Sequence, residues 1–302
     1  MLTTDSGFTI NTLGAKVGAE IIGADLRKHL SAAAFAEIED TFYRYSVVVI
    51  RDQELTTKEL VEFSRLFGTL QINVRSKTKT KDADIRIMPD EQEAIYISNV
   101  KKDGKFMGST DAGRYWHSDL CYEQIPSKMT LLHAIEIPEK NGVVYGATKF
   151  ADVAAAYDAL SRTMKNRLEG LVAANSFRHM WQRKADDFGT RMKLGDEELA
   201  KLPEDAIHPV VRVHPVTGQK CIYICDGYTN RILGMPEDKS DQLLSELFAH
   251  MAKREFRYQH EWSLNDLLMW DNCAVQHKAN FDYDPSLRRL MQRCTVMGDA
   301  IT

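Results

Sequence analysis

Long apolar runs are missing from this 302-residue chain: nothing in it approaches the ~20 consecutive apolar residues that a membrane-spanning helix requires. The first residues, Met1 to Ser6, lack the basic-then-apolar build of a secretory signal. Basic runs are scarce too. The densest, Arg75-Ser76-Lys77-Thr78-Lys79-Thr80-Lys81, reads as a solvated loop, and a net charge of −4 gives no drive toward polyanions, so nucleic acid is not an expected partner. Cysteine is sparse and odd in number. The five, at 121, 221, 225, 273 and 294, are scattered without a Cys-x-x-Cys pair, which excludes a disulfide framework and leaves buried thiols in a reducing cytoplasm. Gly-x-Gly-x-x-Gly and Walker motifs are absent, which sets nucleotide-binding folds aside. Neither an internal repeat nor a Pro/Ser/Gly-rich linker divides the chain, so residues 1–302 are read as one domain.

What is present is the ordinary mix of a globular protein, 44% hydrophobic and 27% charged. Phe8 to Ile22 alternates like a hairpin, and Ser31 is placed to cap a helix over Ala32–Tyr45. Val47 to Ile50 is a β-branched buried strand, and Thr56 or Thr57 starts a helix stopped by Gly68. Residues 71–113 turn polar and irregular around one strand-like run, Ala94–Val100, the profile of a lid or binding loop. A strand over Met129–Ile137, a turn at Asn141-Gly142 and a strand from Gly146 follow, then a helix-like run from Ala151 to about Leu171. Asn175 to Ala206 reads as a second insertion whose aromatics pack it onto the body. A hairpin over 210–225, a helix opened by Pro236 and strands near 256–260, 266–270 and 289–296 complete the pattern. Short strands interleaved with helical insertions favour an α+β chain with a mainly β core, a sandwich or jelly roll, over a parallel α/β sheet.

The only His-x-Asp of the chain lies in Tyr115-Trp116-His117-Ser118-Asp119-Leu120. On an extended strand, residues two apart project to one side, so His117 and Asp119 could grip one metal ion. A second histidine must arrive from elsewhere, and the best placed is His277, after Trp270-Asp271-Asn272. Two histidines and one carboxylate leave open positions on a metal, which suits non-haem Fe(II) and oxygen chemistry. The competing structural reading is a histidine hydrogen-bonded to an aspartate on a sheet face.

Arg289 and Arg293 lie 12 and 16 residues after His277, four apart in a strand among apolar neighbours. They would share a face, about 13 Å from end to end. A buried arginine needs a carboxylate, and a pair on one face points to anionic ligands, with internal acids as the alternative.

These residues carry a family resemblance. Trp116-His117-Ser118-Asp119, the glycine turn before Thr148, Met269-Trp270-Asp271-Asn272 before His277, and Arg288-Arg289 with Arg293 make the chain resemble the taurine dioxygenase / 2,4-dichlorophenoxyacetate dioxygenase family. The likeness runs from Gly18-Ala19-Glu20-Ile21 to Met297-Gly298-Asp299. It implies a double-stranded β-helix, a jelly-roll form with flanking helices and lid-like insertions. It also implies Fe(II) held by His117, Asp119 and His277, and 2-oxoglutarate held by Arg289 and Thr148. O2 would be the oxidant and a small anionic substrate would lie at Arg293, with Asn99 and Lys101 on the substrate side. Succinate and CO2 would be released, and the protein would self-associate as relatives do. Two departures stand out. Tyr145-Gly146-Ala147-Thr148 replaces the usual Gly-Gly-Asp-Thr, and the region of Gln71-Ile72-Asn73 lacks the histidine of taurine enzymes. The stretch Tyr96 to Gly104 is closer to the aryloxyacetate branch. Expected substrates are therefore aryloxyalkanoate-like carboxylates, with sulfonates, alkyl sulfates and amino-acid derivatives as alternatives. A zinc hydrolase and a non-catalytic jelly-roll binding protein are the competing classes.

Overall fold

A computed structural model of the protein describes residues 2–14, 16–72 and 90–301. Asn73 and the Arg75–Lys81 run lie outside these residues. In the opening part β1 (Leu2–Thr3), β2 (Thr9–Thr12) and β3 (Ala19–Ile22) lead to α1 (Ala32–Tyr45), β4 (Val47–Ile50) and α2 (Thr57–Arg65). Both helices start on side-chain caps. Ser31 Oγ accepts the Ala34 N–H at 3.1 Å, and Thr56 and Glu59 form a reciprocal capping box. Next come β5 (Ala94–Ser98), a small hairpin of β6 (Lys101–Lys102) and β7 (Lys105–Phe106), β8 (Ser127–Glu136), β9 (Glu139–Lys140), β10 (Val143–Val144) and β11 (Thr148–Asp152).

The helical run expected over 151–171 is broken. Ala151 and Asp152 end β11, and two short helices follow, α3 (Val153–Asp158) and α4 (Arg162–Leu168). The break falls at Ser161, whose Oγ accepts the Met164 N–H at 3.1 Å and starts a new helix. After β12 (Val172–Asn175), the 175–206 insertion is largely α5 (Phe177–Phe188) and α6 (Asp196–Leu199). The remaining elements are β13 (Ala206–Pro209), β14 (Val211–Val213), β15 (Lys220–Ile222), β16 (Thr229–Ile232), α7 (Glu237–Met251), β17 (Arg257–His260), β18 (Leu267–Asp271), β19 (Val275–Ala279) and β20 (Leu290–Met297).

The large sheet runs β1-β2-β3-β4-β18-β8-β20-β5, antiparallel except where β3 meets β4. Strand alternation divides its residues between two cores. Val48, Ile50, Leu131, Met269 and Cys294 face outward onto α1 and α2, packing with Ile38, Phe42 and Leu60. Val47, Val49, Leu132, Leu268, Trp270 and Met291 face inward. There they meet Phe150 and Val275 of the three-stranded sheet β17-β11-β19. Burial on both faces is why β4 and β18 read as unbroken apolar runs. The two facing sheets form the jelly roll, and its inner core carries the site. No helix among the described residues is long and apolar enough to cross a membrane.

Candidate metal centre and its neighbouring arginines

His117 and His277 meet across an isolated antiparallel bridge. The His117 N–H donates to the His277 carbonyl at 3.1 Å, and the reverse bond measures 2.8 Å. The residues after His117 do not continue as a strand, which corrects the extended conformation inferred from the motif. The chain turns at Leu120, with φ 56°, and Asp119 comes round to the histidines by that turn. Its Oδ1 lies 3.7 Å from His117 Nε2 and its Oδ2 lies 3.8 Å from His277 Nε2. One ligand atom from each of the three residues falls within 4.8 Å of the others, and all three residues are buried.

Upstream, the loop that delivers His117 is pressed onto β5. Ser109 N–H donates to Tyr96 O at 3.1 Å, and Ser98 N–H donates to Ser109 O at 3.0 Å. Between them Gly108 has φ 153°, and a Cβ there would fall 2.1 Å from Tyr96 O, so only glycine passes. Helix α5 clamps the same loop from outside. Lys184 Nζ donates to Asp111 O at 2.8 Å and Tyr115 O–H donates to Asp187 at 2.7 Å, while Arg191, just past the helix, bonds the Asp111 carboxylate at 2.8 Å.

The electrostatics suit a metal ion. His117 Nδ1 faces two carbonyls, Tyr115 O at 3.0 Å and His277 O at 3.1 Å, so it carries the hydrogen and Nε2 offers its lone pair. Burial, reinforced by the neighbouring His117, holds His277 well below the usual histidine range, hence neutral. Burial pushes the Asp119 carboxyl upward, but Arg293 and the two histidines outweigh it and hold it well below the ordinary carboxylate range. Two imidazoles and one ionised carboxylate are the donor set that fits Fe(II) with open positions.

Arg293 reaches this centre directly: its Nη1 donates to Asp119 Oδ1 at 3.1 Å. Arg289 sits just before β20, 6% exposed, in a narrow cleft with Ile97, Ser98, Thr110, Phe281 and Tyr283. Its Nε has no hydrogen-bond partner, and no ion pair reaches it among the described residues. Thr148 opens β11, its Oγ1 accepting Trp262 Nε1–H at 3.1 Å, which leaves the hydroxyl hydrogen to donate. The preceding Gly146 has φ 72°, and a Cβ there would meet Pro138 and Tyr283 at 3.1 Å each. The glycine of the turn is thus required where its neighbours differ from the family pattern.

Asn99 and Lys101, expected on the substrate side, are engaged otherwise. Asn99 Oδ1 accepts the Arg289 N–H at 2.8 Å, and its Nδ2 donates to the carbonyls of Leu287 at 2.7 Å and Pro285 at 3.2 Å. Its polar atoms therefore anchor the backbone that presents Arg289. Lys101 is exposed in the β6-β7 hairpin, with its ammonium 4.5 Å from the Phe106 ring centre.

Other neighbours carry no motif. Tyr228 stacks on Tyr122 at 5.2 Å and lies 6.0 Å from the His117 ring, and Phe177 joins Tyr122 at 5.0 Å. Burial pushes the Tyr122 phenol pKa up, with Arg293 opposing and Asp119 adding to the rise. Thr130 and Asn272 contact Asp119 from below. Asn272 belongs to a quoted motif, but only the fold reveals its partner.

The model of the family described as "Taurine catabolism dioxygenase TauD, TfdA family" matches residues 9–295. The chain is 33% identical over 306 residues to the alpha-ketoglutarate-dependent 2,4-dichlorophenoxyacetate dioxygenase of Cupriavidus pinatubonensis, covering 96% of this chain and 98% of that one. It is 30% identical over 292 residues to the pentalenolactone F synthase of Streptomyces arenae, covering 95% and 94%. The crystal structure of AAD-2 in complex with Mn(II) and N-oxalylglycine superposes with a TM-score of 0.79 at 31% identity, covering 98% of each chain. By its sequence, its fold and the cluster at its centre, the chain belongs to the TauD, TfdA family and is an Fe(II)- and 2-oxoglutarate-dependent dioxygenase.

Proposed function

We propose that His117, Asp119 and His277 hold the iron, that Arg289 and Thr148 grip the far carboxylate of 2-oxoglutarate, and that Arg293 receives the anionic end of a small aryloxyalkanoate-like substrate. The observation that carries this reading is Arg289. A guanidinium so far removed from water is costly unless a carboxylate meets it, and no ion pair reaches it among the described residues. A diacid cosubstrate supplies that carboxylate.

When bound, iron and 2-oxoglutarate supply the oxidising chemistry, dividing O2 between succinate, formed with loss of CO2, and a hydroxyl group on the substrate. The protein's residues bind, orient and exclude. Trp262 fixes Thr148 so that its hydroxyl hydrogen is free for the cosubstrate. Arg293 spends one N–H on Asp119 and keeps further donors for a substrate carboxylate, in the fork geometry such groups favour. Tyr122, Tyr228 and Phe177 form an aromatic wall beside His117, and an aryl ring would meet that wall by offset or edge contacts. Hydroxylation at a carbon between an ether oxygen and a carboxylate gives a hemiacetal, which collapses to a phenol and a 2-oxo acid. The likeness to the 2,4-dichlorophenoxyacetate enzyme supports this choice.

A screen of 2-oxoglutarate-dependent succinate release tests it across aryloxyalkanoates, sulfonates, alkyl sulfates and N-acyl amino acids. Phenoxyacetate-type acids should turn over fastest, and Tyr228→Ala should raise their KM by roughly tenfold while leaving that for 2-oxoglutarate unchanged. Faster turnover of another class would overturn the substrate assignment. An anaerobic charge-transfer band with Fe(II) and 2-oxoglutarate separates the oxygenase from a zinc hydrolase. We further assign residues 1–302 to one domain and the enzyme to the cytoplasm, where the five free, buried thiols would stay reduced. Self-association completes the reading and is tested by light scattering.

A further inference from the structure

Thr130 is out of character for its position. It shares the inner face of β8 with Leu132 and Ala134, two residues of the apolar inner core, and it is fully buried. A hydroxyl in such company is unfavourable unless both its hydrogen-bonding roles are met. They are. Thr130 Oγ1 donates to Asp119 Oδ2 at 2.7 Å and accepts from Asn272 Nδ2 at 2.9 Å.

The direction of each bond follows from Asn272. Its Oδ1 receives two N–H groups, from the Asp119 backbone at 3.1 Å and from Trp270 Nε1 at 3.2 Å, so its amide nitrogen must face Thr130. Thr130 therefore accepts on that side and has its single hydrogen left for the carboxylate. Two further bonds tie the segment down. Ser118 Oγ donates to the Asn272 carbonyl at 2.6 Å, and Ser127 Oγ donates to the Asp119 carbonyl at 2.7 Å. The backbone on either side of Asp119 is thus held, which leaves rotation of the carboxylate about its own bond, a freedom that Thr130 restrains at Oδ2 while Arg293 meets Oδ1.

We propose that Thr130, aimed by Asn272, is a positioning residue for the metal: its hydroxyl holds the Asp119 carboxylate at one rotation and so raises the affinity of the centre for a divalent ion. The proposal rests on the assignment of His117, Asp119 and His277 as metal ligands. Outer partners of this kind set ligand orientation, and their loss weakens metal binding by roughly 10–100-fold. Asn272 is linked to the other side of the centre through Trp270, whose Nε1–H it accepts and whose ring lies 4.6 Å from the His277 ring.

The test is Co(II) binding to the metal-free protein, without cosubstrate, read by titration and by the visible spectrum of the bound ion. Thr130→Val keeps the shape and removes the hydroxyl. It should raise the Kd for Co(II) by roughly 10–100-fold and alter the spectrum, and Thr130→Ser should restore both to within about threefold of wild type. If the valine variant does not fold, Thr130→Ala against Thr130→Ser reads the same difference. The proposal is overturned if the hydroxyl-free variant binds and absorbs like wild type, or if serine is as weak as valine, which would make packing the cause. Either of those outcomes leaves the metal assignment standing. Failure of the wild-type protein to bind Co(II) or Fe(II) would remove that assignment together with the proposal.

Discussion

His117 and His277, 160 residues apart in sequence, are joined by a reciprocal pair of backbone hydrogen bonds, and their rings lie 4.1 Å apart between centres. Neither backbone bond involves a side chain. The spacing of the two imidazoles is thus set by folding, before any ion arrives.

It follows that His277→Ala should leave the fold in place and empty the centre of function. Circular dichroism should be unchanged, divalent-ion binding lost, and succinate formation reduced by more than about 100-fold, beyond the loss expected for an outer partner. Turnover near the wild-type level would contradict the ligand assignment.

Arg289 should act on stability and on function with opposite signs. Its guanidinium is buried, and that burial depresses its pKa, with Tyr283 pulling the other way. Arg289→Met removes an uncompensated charge and should stabilise the ligand-free protein by about 1–3 kcal/mol, seen as a higher Tm. The same change should lower kcat/KM for 2-oxoglutarate by roughly 100-fold or more, as for one half of a buried charge pair. A lower Tm would mean that the guanidinium has an internal partner.

Acid should destabilise the protein from about pH 6.5 downward. Burial lowers the pKa values of His133, His179, His208, His260 and His277. Each binds its proton less tightly when folded than when unfolded, so its contribution is present above the unfolded pKa and is lost as pH falls. His214 runs the other way. Burial lowers it, but the bond to Asp271 at 2.7 Å overcomes this and raises it, so its contribution is present at low pH and lost as pH rises through its folded value. Five against one leaves a net uptake, measurable as a urea midpoint that falls between pH 6.5 and 5. A flat profile would refute the lowered histidine pKa values.

Gly146→Ala should damage both the turn and the cosubstrate site. The left-handed φ costs a non-glycine residue about 1–2 kcal/mol, and the new methyl group would press on Tyr283, which lines the Arg289 cleft. A lower Tm together with a higher KM for 2-oxoglutarate is expected; a change in Tm alone would detach Tyr283 from the site.

Local signals were legible where the cause was local. Ser31 and Thr56 announced their helices because a cap acts within three residues, and Val47–Ile50 announced a strand because both its faces are buried. The strand assumed for His117–Asp119 failed because the three side chains are brought together by a turn at Leu120 and by pairing with a distant segment. Helix α5 was hidden because its buried contacts include Lys184, held by Asp111, in place of a plain apolar stripe. Tyr122, Tyr228 and Thr130 bear no local mark of their position near the centre. Their partners come from far along the chain, as Asn272 does to Thr130 across 142 residues.

β20 lies between β8 and β5 in the large sheet, and it supplies Arg293 directly and Arg289 at its threshold. The two arginines, proposed above as anion grips, sit on one interior ribbon and cannot drift apart without disturbing its neighbours on either side. Variation in what such an enzyme accepts should therefore accumulate in the outer parts, in α5 and the aromatic residues around Tyr122, while the distance between the grips is inherited unchanged.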